Sequence, residues 1–154
     1  MLVFRISTAR YARDLTGTGA RIHGGRWSHK GINVVYTSES RALATTEYLV
    51  RTPMGMIPVG LRMVMIQIPK NTSTETIGPA KLPAHWRIYP VPIEIADFGF
   101  RWVVENRSLT LRVPSAVVPG DFNILINPSH PENKKVKIKS VEPYELDERL
   151  LAGR

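Results

Sequence analysis

A chain of 154 residues, 43% hydrophobic and 22% charged, has the ordinary balance of one globular domain and needs neither metal nor disulfide to bury a core. It has no cysteine, which excludes disulfides, iron–sulfur clusters, thiolate zinc sites and cysteine nucleophiles, and which fits a reducing, cytoplasmic compartment. The net charge of +8 calls for an acidic partner, a nucleic acid or a solubility role, and no apolar run is long enough for a membrane span or a secretory signal.

In chain order, Leu2 to Ile6 reads as a short strand, followed by a Gly-, Thr- and Arg-rich loop through Gly31. Asn33 to Thr37 is β-branched and aromatic, a second strand. Ser38-Glu39-Ser40 then offers a capping serine to a helix that runs to the break at Pro53-Met54-Gly55. On it Leu43, Glu47 and Val50 recur at helical spacing, which puts Glu47 close to an apolar face. Arg62 to Ile68 is a strong strand, and the proline-broken stretch from Lys70 to Pro92 is an ordered loop with one short strand. Ile95 to Asn106 suits a helix despite Gly99. Strands are expected over Leu109–Val113, Ala116–Val118, Asn123–Ile126 and Val136–Val141, with a terminal helix over Glu145–Leu151. In Lys134-Lys135-Val136-Lys137-Ile138-Lys139 the charges alternate with Val and Ile, so the run reads as an exposed edge strand guarded by lysines. Strands interrupted by two or three helices, without regular βαβ alternation, make this an α+β fold, and no linker or repeat divides residues 1–154.

Four residues on separate elements look like parts of one pocket: Arg26, Tyr36, Glu47 and Ser115. Two glycines before Arg26 let the backbone approach a ligand closely, and the guanidinium fork suits phosphate or carboxylate. A carboxylate beside an apolar stripe needs partners, and Arg26 and Tyr36 are available. Other chemistries find no footing. His23, His29, His85 and His130 lack a two-His helical spacing, so no metal site is expected, and His130 reads as the brace of a loop. There is no phosphate-binding glycine loop, and Ser115 has no nucleophile-elbow context. A basic nucleic-acid module is the rival from another class. It would need exposed aromatics interleaved with lysines, whereas the aromatics here lie in apolar strands or beside glycines.

Arg26 within Gly24-Gly25-Arg26-Trp27, Glu47 in the helix after Val34-Val35-Tyr36, and Ser115 in Val113-Pro114-Ser115 resemble the Arg, Glu and Ser that name the RES-domain toxins. That family supplies the toxin half of bacterial RES–Xre toxin–antitoxin pairs. Phe4-Arg5-Ile6 and the run from Asn123 to Pro131 extend the resemblance over nearly the whole chain. Ser28 departs from it, at a position where many relatives carry a small amide. The resemblance implies a compact ADP-ribosyltransferase-like mixed-sheet core that uses NAD as substrate, with no permanently bound cofactor and no metal. It implies an Xre-like helix-turn-helix antitoxin as partner, no direct nucleic-acid binding by this chain and no membrane, and it allows a homodimer. In that reading Arg26 and Arg5 hold the phosphates, Tyr36 and Ser115 orient the nicotinamide end, and Glu47 stabilises the ribosyl cation. Water, inorganic phosphate and a protein side chain all stand as acceptors.

Overall fold

A computed structural model describes residues 1–152. Its centre is a mixed seven-stranded sheet: β1 (Leu2–Thr8), β2 (Val35–Ser38), β3 (Leu61–Gln67), β4 (Thr74–Thr76), β5 (Thr110–Pro114), β6 (Phe122–Ile126) and β7 (Lys137–Tyr144). The strand order is β4-β5-β6-β2-β1-β3-β7, antiparallel throughout except for the parallel β4–β5 pair. Four helices flank it: α1 (Thr18–His23), α2 (Arg41–Leu49), α3 (Ile93–Val104) and α4 (Glu148–Leu151). The α+β expectation holds. Among the described residues no helix is long and apolar enough to cross a membrane.

Apolar side chains fill both faces of the sheet, because successive strand residues point to opposite sides. On β6, Ile124 and Ile126 join Val3, Val35, Val64 and Ile66 in one buried cluster, while Leu125 between them joins Leu111, Val113, Trp27 and Trp102 in the other. This two-sided burial explains why Ile124-Leu125-Ile126 reads as an unbroken apolar run. Strand β7 lies at the sheet edge with Lys137 and Lys139 exposed, as the alternating lysines predict.

The helix α2 follows its cap signal: the Ser40 hydroxyl accepts from the Leu43 amide at 3.0 Å. It buries Leu43, Ala44 and Thr45 and is tied at two points to the far edge strand. Arg41 forks onto Glu142 (3.0 and 3.4 Å) and Thr45 Oγ1 bonds the Tyr144 hydroxyl (2.7 Å). These ties fix the azimuth from which Glu47 projects.

Three expectations are corrected. Thr18–His23 is a helix and not loop; it is too short, and too broken by Gly19, to show an apolar period. Strand β2 starts two residues later than the β-branched run suggests. Ala116–Val118 is no strand but part of the turn joining β5 to β6. The Ser115 hydroxyl accepts from the amides of Val117 and Val118 (3.1 and 3.0 Å), which removes them from any ladder. His130 does brace its loop, its Nδ1 accepting from the Glu132 amide at 3.2 Å.

Candidate active site

The carboxylate of Glu47 is the convergence point of the molecule. Its Oε1 accepts from Ser115 Oγ at 2.8 Å and from Asn123 Nδ2 at 2.6 Å, partners 68 and 76 residues away. The helix α2 presents the glutamate, the end of β5 presents the serine, and β6 presents the asparagine. Among the described residues Oε2 accepts no hydrogen bond. Glu47 lines a cleft of about 130 Å³ together with Phe4, Tyr36 and Tyr48, and with Arg5 and Arg51.

Ser115 is almost fully buried. Its only proton goes to Glu47 while its oxygen caps the following turn. It therefore serves the carboxylate, and has no proton left to offer a ligand. The expectation that Ser115 orients the nicotinamide end directly gives way to one in which it orients Glu47.

Tyr36 stands where the sequence suggests, on the cleft wall, with its hydroxyl turned inward. That oxygen accepts from the Trp27 amide at 3.1 Å and shares a hydrogen bond with Ser28 Oγ at 2.9 Å. Burial raises the phenol's pKa above its ordinary value, so it stays neutral. Ser28 is thus the hydroxyl partner of Tyr36. Gly25 is required here for a reason other than closeness to a ligand. A Cβ at Gly25 would stand 2.5 Å from the Tyr36 hydroxyl, so only glycine lets the turn sit on the ring.

Arg26 reaches across to the loop before α3. Its Nη1 donates to the carbonyls of Trp86 (2.8 Å) and Ile88 (3.2 Å), leaving Nη2 and Nε without a hydrogen-bond partner among the described residues. Burial lowers its pKa and the positive charges of Arg51 and Arg87 act the same way, while Glu47 and Tyr36 oppose them. Arg26 therefore belongs to the electrostatic field of Glu47 although it does not line the cleft.

Arg5 borders the cleft, but its Nη2 is committed to the carbonyls of Tyr11, Ala12 and Asp14 at 3.0, 3.1 and 2.5 Å. It staples the segment after β1, and its buried Nε has no partner. Burial lowers its pKa as well, partly offset by Asp14. Two residues that the sequence reading passed over belong to the site. Asn123 was visible as the start of the Asn123–Pro131 run, without a role. Arg51 follows Glu47 by four residues, the spacing of a stabilising helical ion pair. No such pair forms. Its guanidinium lies 5.9 Å over the Tyr36 ring and has neither a hydrogen bond nor an ion pair among the described residues.

No group of three or more His, Cys, Asp or Glu side chains gathers as a metal site among the described residues. Three of the four histidines each lie beside one carboxylate, His29 with Asp97 at 2.7 Å, His85 with Glu94 at 2.9 Å and His130 with Glu132 at 3.7 Å.

Comparison with known proteins shows the family and the fold. The RES domain family model matches residues 2–147. The Prs ADP-ribosylating toxin of Sphingobium sp. (strain YBL2) is 39% identical over 142 residues, covering 91% of this chain and 88% of that protein. A Toxin Res of Yersinia enterocolitica is 35% identical over 153 residues, covering 97% and 99%. A chain of the Mycobacterium tuberculosis MbcT–MbcA toxin–antitoxin complex superposes with a TM-score of 0.70 at 18% identity, over 97% of this chain and 86% of that one, which shows a shared fold. With the family model matched over nearly its whole length and relatives above 30% identity, the chain belongs to the RES domain family.

Proposed function

We propose that this protein, as a single RES-type domain, is the toxin of a toxin–antitoxin pair and consumes NAD in the cytoplasm by breaking the nicotinamide–ribose bond. The observation that carries the reading is the half-bound carboxylate: in Glu47, which lines an aromatic-walled cleft, Oε1 is held by two donors while Oε2 has no hydrogen-bond partner among the described residues. The cleft is smaller than the roughly 300–1,000 Å³ of a site that swallows a whole ligand. One end of a dinucleotide fits its scale, with the phosphates outside at the arginines.

In this reading the nicotinamide ring enters between Phe4, Tyr36 and Tyr48, and Glu47 lies against the ribose. As the C–N bond breaks, its electron pair passes to the nicotinamide nitrogen and positive charge gathers at the ribosyl carbon. A fixed negative oxygen there stabilises the transition state more than the substrate, which is what raises the rate. Arg26 and Arg51 hold the pyrophosphate. Arg51 is better placed than Arg5, whose Nη2 is tied to carbonyls. The acceptor then completes the reaction. Water gives ADP-ribose, phosphate gives a phosphorylated ADP-ribose, and a protein side chain gives an ADP-ribosylated target, the alternative favoured by the name of the Sphingobium relative.

The partner is an Xre-like antitoxin with an acidic face, matched to the +8 charge. Support also comes from the loop after α2, which starts near the cleft-lining Arg51. Met54 is 97% and Val59 84% exposed there, with Met56 and Ile57 also exposed, and such runs commonly mark protein contacts. A homodimer is compatible with this arrangement, and direct nucleic-acid binding by this chain is not part of the reading.

The direct test is the product spectrum of purified protein incubated with NAD, with and without phosphate. Nicotinamide release supports the reading, and intact NAD in both incubations and in a third that adds bacterial lysate as a source of protein acceptors refutes it. In cells, expression without antitoxin is expected to arrest growth and lower NAD; normal growth at unchanged NAD in well-expressing cells contradicts the toxin assignment.

The Arg26 clamp has its own expected outcome. Arg26→Ala should lower kcat/KM for NAD by roughly 10- to 100-fold, the scale of one lost charge-assisted hydrogen bond. Arg26→Lys should lose less, because it keeps charge while losing the fork. If the alanine variant only melts earlier at unchanged kcat/KM, Arg26 is purely the tie to Trp86 and Ile88.

A further inference from the structure

Both donors to Glu47 land on the same oxygen, and one of them is itself held in place. The Asn123 amide nitrogen donates to Glu47 Oε1, and its carbonyl Oδ1 accepts from the buried Ser38 hydroxyl at 2.7 Å. A carboxylate only accepts and Ser38 has one proton to give, so the amide has one orientation that satisfies both neighbours. Register enforces this: Ser38 and Asn123 are directly opposite in the β2–β6 ladder. The chain Ser38→Asn123→Glu47 therefore runs from the sheet into the helix, across two hydrogen bonds shorter than 2.8 Å.

We infer that Asn123, oriented by Ser38, is a positioning residue for the NAD-cleaving reaction, setting the rotation of the Glu47 carboxylate so that Oε1 is saturated and Oε2 alone faces the ribosyl carbon. The inference rests on the proposed NAD cleavage at Glu47 and adds to it which oxygen acts and what holds it. Ser115 by itself leaves the carboxylate free to swing about a single hydrogen bond. The second donor removes that freedom, and an electrostatic partner that need not reorganise stabilises developing charge best.

The test is a kinetic cycle with NAD as the probe. Asn123→Ala is expected to lower kcat by roughly 10- to 100-fold, the scale of a slightly misplaced catalytic group, with KM for NAD changed less than about two-fold. In a Glu47→Gln background the same substitution should add less than about two-fold, because Asn123 has no other route to the reaction. Asn123→Asp is the isosteric control. It still accepts from Ser38 but sets an acceptor against Glu47 Oε1, and its kcat should fall at least as far. Wild-type kcat in both Asn123 variants, while Glu47→Gln is impaired, overturns the inference and leaves the NAD-cleavage reading standing. An Asn123→Ala loss that multiplies undiminished onto Glu47→Gln also overturns it, as does failure of both Asn123 variants to fold by circular dichroism. Undiminished cleavage by Glu47→Gln itself brings down the underlying reading.

Discussion

Glu47→Gln is expected to lower NAD turnover by roughly 10²–10³, comparable to the loss of one preorganised electrostatic partner in other enzymes. The geometry sharpens the expectation. Ser115 and Asn123 both donate toward this side chain, so a glutamine turns its carbonyl to them and keeps both hydrogen bonds. Its amino group then takes the place of Oε2, setting a donor where positive charge develops. Fold and NAD affinity should change little, since the partners stay satisfied and the ground-state ribose carries no charge. Thermal stability should hold or rise slightly, because a charge close to an apolar face costs desolvation. Single-turnover cleavage measured beside NAD affinity checks the prediction. Equal losses in both would make Glu47 a ligand-holding residue, and unchanged cleavage would remove it from the chemistry.

Gly99→Ala is expected to destabilise the protein by about 3 kcal/mol or more, at the upper end of overpacking costs. Helix propensity alone predicts the reverse, since alanine is favoured over glycine inside a helix by about 1 kcal/mol. In α3, however, the Gly99 backbone lies directly against the Trp27 carbonyl, and a Cβ there would overlap that oxygen. The obstacle is backbone, which cannot swing aside as a side chain can. Either α3 lifts off the sheet, opening the cluster of Trp27, Ile95 and Trp102, or the turn carrying Arg26 shifts. For a chain of this size the fall in Tm is roughly 6–12 °C. Differential scanning calorimetry decides it, and a variant as stable as wild type shows that the α3–Trp27 contact yields to a Cβ without cost. The second route couples stability to function, because Trp27 N and Gly25 also seat the Tyr36 hydroxyl.

Local chemistry in the sequence carried most of the elements. β-Branched runs marked β2, β3 and β6, the lysine alternation marked an edge strand, and Ser40 marked the start of α2, because these signals act between residues a few positions apart. Arg26, Tyr36, Glu47 and Ser115 stood out by residue type and by resemblance, and three of them do share hydrogen-bonded or cleft contacts. What each one does was not legible. Arg5 could face a ligand or its own chain from the same strand position. The path of the backbone after β1 brought three carbonyls to it. Ser115 could donate to a ligand until the fold placed Glu47 within reach of its only proton. Gly99 read as a flaw in a helix until Trp27 arrived from 72 positions earlier in the chain. Asn123 was visible only as the start of a run and gave no signal of its role, since that role depends on standing opposite Ser38 in the β2–β6 register and within reach of Glu47 on α2. Residue types and periodicity determine which elements form and which chemistry is available. Which partners meet is decided by strand register and helix placement, because contacts between residues 68 to 76 positions apart leave no trace in any local window of sequence.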